Sequence, residues 1–116
     1  MKYNEIEFDI ADLLTAFDEL LTTTDEERGV YWFKITRPDG IIVILSFSVY
    51  QMSANIIVRC SAHTVCSSIN MKRCLSIRVV EHEKRCLEVI CGDKASPSTR
   101  CLLCLTGDNI LEIESQ

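Results

Sequence analysis

Val30-Tyr-Trp-Phe-Lys-Ile-Thr36, Arg37-Pro-Asp-Gly40 and Ile41-Ile-Val-Ile-Leu-Ser-Phe-Ser-Val49 follow one another without a break. Two runs rich in β-branched and aromatic residues flank a turn signal, which predicts a β-hairpin. Pro38 presets φ for a turn position, Asp39 can accept from backbone two residues on, and Gly40 tolerates positive φ. In the first run Tyr31, Phe33 and Ile35 share one face, and Val30, Trp32, Lys34 and Thr36 share the other. In the second, Val43, Leu45, Phe47 and Val49 oppose Ser46, Ser48 and Tyr50. That pattern suits a central strand covered on one side and partly wet on the other.

Upstream, Ile10, Leu13, Leu14, Phe17, Leu20 and Leu21 recur at three- and four-residue intervals. This apolar stripe predicts an amphipathic helix over about residues 9–22, with Asp9 as N-cap and Asp12 favourable in the first turn. Downstream, alternation predicts strands at about 55–61, 72–80, 85–91, 100–106 and 110–114, beside the hairpin strands at 30–37 and 41–50. Residues 62–70 are mostly small and polar, without a readable period, and are open to an edge strand or a loop. The turns are too short for parallel crossovers. The expected fold is α+β, in a single domain over residues 1–116. One N-terminal helix packs on a six- or seven-stranded antiparallel meander, open to curling into a partly open barrel.

The totals agree. Hydrophobic residues make up 47% of the 116 and charged residues 25%, an ordinary globular composition. No apolar run approaches the ~20 residues of a membrane span, and the start lacks a signal-peptide pattern. The expected location is the cytoplasm, with no membrane partner. Seven cysteines, at 60, 66, 74, 86, 91, 101 and 104, form an odd count, and several occupy apolar slots of strand patterns. They read as mostly free core thiols.

The net charge of −5 is uneven. Residues 1–28 carry nine acids against Lys2 and Arg28. Basic residues gather later, at Lys72, Arg73, Arg78, Lys84, Arg85, Lys94 and Arg100, but every aromatic lies at or before Tyr50. A basic segment without aromatic platforms argues against nucleic acid as partner.

Three chemistries can be weighed. Cys60, His63 and Cys66 with Cys101 and Cys104 have the spacing of a zinc site. Yet Cys101-Leu-Leu-Cys104 lies in a strand pattern, where residues three apart point oppositely. The same flanks remove the helix N-terminus that would activate a redox Cys-x-x-Cys pair. Glycine loops for phosphate are absent. An apolar cavity lined by Phe17, Trp32, Phe33 and Phe47 is the carrier alternative, with filled core as the bland account of the same residues. No cofactor is implied, and no nucleophile, base and oxyanion partner stand at a readable spacing, so no enzyme is expected.

The remaining expectation is a protein-binding module. A small, acidic, cytosolic single domain resembles, in composition, the immunity proteins that neutralise bacterial toxins. That resemblance implies a partner with a basic surface, met by Asp12, Asp18, Glu19, Asp25, Glu26 and Glu27. A free sheet edge would also allow two copies to pair as a homodimer.

Overall fold

The computed structural model describes residues 5–61, 64–93, 96–107 and 110–115. One helix and two antiparallel sheets enclose one core. The helix α1 spans Ile10–Phe17. The first sheet has the order β1 (Glu19–Leu20), β2 (Val30–Thr36), β3 (Ile42–Ser48), β4 (Ser53–Ser61), β5 (Thr64–Met71). The second has the order β6 (Cys74–Glu81), β7 (Cys86–Asp93), β8 (Ser96–Cys104), β9 (Leu111–Ser115). Each sheet is a meander, as expected, but the chain divides into two sheets rather than one, and neither closes into a barrel.

The division falls at Lys72-Arg73. Arg73 takes φ 55°, a left-handed turn that carries the chain from β5 to β6. The Cys74 N–H then donates to Met52 O at 2.7 Å and Gly92 N–H to Arg73 O at 3.0 Å, so the corner is pinned from both sides. The N-terminal lead-in also ties the sheets together. Ile6 N–H donates to Val49 O, while Glu7 bonds Leu75 and Ile77 on β6.

The hairpin forms as the turn residues dictate. Gly40 N–H donates to Arg37 O at 3.0 Å, Ile41 N–H donates to Asp39 Oδ1 at 3.0 Å, and Gly40 takes φ 89°. That bond to backbone holds the Asp39 carboxyl below its usual range, with help from Arg37. The Arg37 guanidinium also donates to Gly107 O at 2.6 Å, linking this turn to the one after β8.

The helix is shorter than its apolar stripe predicts. Asp9 caps the start, accepting from Asp12 N–H at 3.2 Å. Asp18 ends it in the left-handed region at φ 74°, with its N–H on Leu14 O. Leu20 leaves the helix for β1, where it pairs with Phe33. Leu20 and Leu21 thus keep a helical spacing but serve an extended segment.

Alternation is obeyed on both inner faces. Phe33, Val43, Leu45 and Ile56 of the first sheet are buried with Ile77, Leu87, Val89 and Leu103 of the second, and Leu13 and Phe17 come in from the helix. Tyr31, Phe33 and Phe47 stack at centroid distances of 5.3–6.3 Å, with Phe17 and Phe8 against their flanks. The unreadable stretch contains β5, whose ladder to β4 shifts register past Val58.

The cysteine expectation needs correction. Cys74, Cys91 and Cys101 are free and buried, as small apolar residues should be. Cys60 and Cys66 instead form a disulfide across the irregular end of β4 and β5, and Cys86 and Cys104 form another between register partners on β7 and β8. In both cases adjacent strands bring the α-carbons within 6 Å, at 5.8 and 4.0 Å.

Candidate functional site

Among the described residues no zinc constellation assembles. Cys60 pairs with Cys66 at the far end of the first sheet, while Cys101 and Cys104 lie on the second. Cys101 is 1% exposed and faces the core; Cys104 faces the other way and pairs with Cys86. His63 lies outside the described residues. Among the described residues no three His, Cys, Asp or Glu side chains gather to hold a metal. Burial pushes the Cys101 thiol up to about 11, and the hydrogen bond to Cys91, then burial, raises the Cys74 thiol. Both are neutral thiols near pH 7, the inert form.

The four aromatics of the carrier alternative are also not brought together around a space. Phe17 and Phe33 are fully buried and Phe47 nearly so, their rings filling the core against each other. Trp32 alternates to the opposite face of β2 and borders a depression on the outside of the sheet. Strand periodicity decides this, since residues 32 and 33 cannot share a face.

The acidic residues expected at a binding surface are all exposed, but their situations differ. Asp18 is engaged: Arg85 Nη1 donates to its Oδ2 at 2.7 Å and to Ala16 O at 3.4 Å, so a cation closes the helix C-terminus. Asp12 sits in the first turn of the helix. Asp25 accepts from Arg28 N–H and pairs with its guanidinium at 3.6 Å. Glu19, Glu26 and Glu27 make no ion pair among the described residues. Glu19 lies opposite Lys34 on the edge strand β1, and residues 25–27 lead into β2.

Folding adds to this margin two acids that spacing did not single out. A cleft of about 380 Å³ is lined by Glu5, Glu7, Glu26, Phe8, Tyr31 and Tyr50, among others. The lead-in segment supplies Glu5 and Glu7, because the Ile6–Val49 hydrogen bond lays it beside the end of β3. Burial, helped by the Glu26 charge, raises the Tyr31 phenol above its ordinary value. Three carboxylates beside aromatic rings suit an arginine or lysine side chain.

Tyr50, 63% exposed, separates this cleft from the second depression, of about 430 Å³, on the outer face of the first sheet. Register sets out that outer face. Lys34, Ile44 and Ile57 form one row, Trp32, Ser46 and Asn55 the next, and Ile42 and Arg59 a third. Strands β2 to β5 contain no Asp or Glu. The signal was present in the chain, which has no acid between Asp39 and Glu81. The outer face of the second sheet is different: Glu88, only 8% exposed, accepts from Arg100 at 2.6 Å and Arg78 at 3.1 Å. There the Glu88 carboxylate is met by two guanidinium groups.

No family model and no curated protein matches the chain. Among solved structures, it is similar to a chain of a contact-dependent growth inhibition toxin–immunity protein complex from Klebsiella pneumoniae 342. The TM-score is 0.76 at 15% identity, over 99% of this chain and 98% of that one. The two chains therefore share a fold over nearly their whole lengths.

Proposed function

We propose that this protein is a non-enzymatic, immunity-type inhibitor that binds a basic toxin domain and occludes it. The observation that carries the reading is the full-length likeness to a chain of a toxin–immunity complex. The acidic margin supports it: a cleft ringed by Glu5, Glu7 and Glu26, with Glu19 and Glu27 nearby and unpaired, supplies the field that steers a cationic surface into contact. The buried free thiols and the filled aromatic core favour a binder over a thiol enzyme or a carrier. Asp12, Asp25 and the helix-closing Asp18 contribute at the rim, where charges set rate more than affinity.

The test is co-expression with candidate toxin domains from the same genome, followed by purification of the complex. Reversing Glu19, Glu26 and Glu27 to lysine removes three unpaired acids without touching the Arg85–Asp18 bond. Association should slow by roughly tenfold or more at low salt, with the rate less sensitive to salt than for the unaltered protein. An unchanged rate would remove the acidic margin from the interface.

A further inference from the structure

Cys74 and Cys91 stand directly across from each other, as register partners on the neighbouring antiparallel strands β6 and β7. Both are free, both belong to the core, and their thiols are hydrogen-bonded to one another. Partners in an antiparallel ladder have α-carbons about 4.5–5.5 Å apart, inside the roughly 4.4–6.8 Å that a disulfide spans. The chain already closes one such pair, Cys86 with Cys104, between register partners on β7 and β8. The third free thiol does not compete. Cys101 shares the inner face but lies opposite Val89, diagonal to Cys91. Diagonal neighbours stand about 7–8 Å apart, too far to bridge without backbone movement.

A path to the pair is present. A cavity of about 270 Å³ is lined by Ile69, Met71 and Lys72 from β5 and the turn after it, by Ile113 of β9, and by Cys91 and Cys101. Cys74 is fully buried and does not line it. The hydrogen bond from Cys74 holds the Cys91 thiol below its ordinary value, whereas burial pushes Cys101 up to about 11. Thiolate is the attacking form, so Cys91 is the sulfur that meets an incoming reagent first.

We infer that Cys74 and Cys91 form an oxidisable dithiol, reached through this cavity by a small organic disulfide and closed by it to a further cross-strand bond. In the first step the Cys91 thiolate attacks one sulfur of the reagent. An S–S bond to Cys91 forms, the reagent's own S–S bond breaks, and one small thiol leaves. Cys74 Sγ then gives up its proton and attacks the Cys91 sulfur, expelling the second small thiol. Two electrons pass from the cysteine pair to the reagent, and the two cysteine protons end on the two departing thiols. Once Cys91 is capped, the hydrogen bond that keeps Cys74 protonated is gone, which frees it for the second step. The new bond locks the corner at Arg73, where Gly92 N–H already donates to Arg73 O at 3.0 Å. The oxidation is stoichiometric and independent of any toxin.

The test treats the folded protein with 2-hydroxyethyl disulfide at mildly alkaline pH. Thiols are counted after denaturation, and the non-reduced chain is mapped by its peptides. Three free thiols should fall to one, the survivor being Cys101, with Cys74 linked to Cys91. At early times Cys91 should be modified roughly tenfold faster than Cys101. Cys74→Ala should stop at the first step and keep the small-thiol cap on Cys91, while Cys101→Ala should close the bond as before. In the unaltered protein, a count that stays at three, a link from Cys91 to Cys101, or a cap that persists on Cys91 overturns the inference. So does a Cys101 that reacts as fast as Cys91, since the pair would then not set the order of attack.

Discussion

Replacing Glu88 with glutamine tests whether the outer face of the second sheet is held by matched charge. The carboxylate side chain is 11% exposed, and the two arginines contribute unequally. Arg78 is 68% exposed, so water screens its 3.1 Å pair and its share is a few tenths of a kcal/mol. Arg100 is 34% exposed and donates at 2.6 Å to a nearly buried oxygen, a charge-assisted bond worth about 1.5 kcal/mol. Glu88→Gln keeps the volume and should therefore cost about 2 kcal/mol at neutral pH, or roughly 5–10 °C in Tm. The bond to Arg100, then that to Arg78, holds the Glu88 pKa below the ordinary carboxylate value. Its stabilising share is therefore complete above that ordinary value and fades as pH falls through the lowered folded value. Denaturant midpoints of both proteins, measured from pH 7 into acid, should converge at the acid end. Equal stability at pH 7, or a gap that persists unchanged into strong acid, would refute the assignment.

Other consequences follow from the core and the backbone. Phe33→Ala empties a fully buried site inside the ring stack and should cost about 3–5 kcal/mol, while Phe33→Leu should cost under about 1.5; similar losses in urea melts would contradict the packing. Gly29 takes φ 68°, and a Cβ there would come within 2.9 Å of the Tyr50 ring, so Gly29→Ala should destabilise by about 1–2 kcal/mol and shift Tyr50 in the NMR spectrum. An unaffected variant would mean the ring is elsewhere. Thiol titration of the unreduced, denatured protein should find three reactive groups among the seven cysteines; seven would refute both disulfides.

How much of this was legible depends on how local its cause is. The hairpin was readable because Pro38, Asp39 and Gly40 carry the turn within four residues. The helix end was not, because Leu20 and Leu21 extend the helical period and Asp18 turns left-handed with no glycine to mark it. The split into two sheets was hidden for the same reason: Arg73 makes the corner where a reader looks for Gly or Pro, and alternation reads alike on either side. β5, the edge strand of its sheet, could not be told from a loop because its serines break the contrast between faces. At the candidate site, the acids of residues 12–27 were visible as a cluster, but not that Arg85 occupies Asp18, nor that Glu5 and Glu7 swing in beside Glu26. Those facts are made by contacts between distant segments. A cavity shared by Trp32 and Phe33 conflicts with their own alternation along β2, which sends the two rings to opposite faces.

The proposed inhibitor silences a toxin by binding it. The most direct measurement is the growth of cells that express a toxin domain from the same genome that co-purifies with this protein, with and without the protein. Restored growth together with an equimolar complex in solution is the predicted result. Undiminished inhibition in cells that hold the folded protein, with no complex detected, would contradict it.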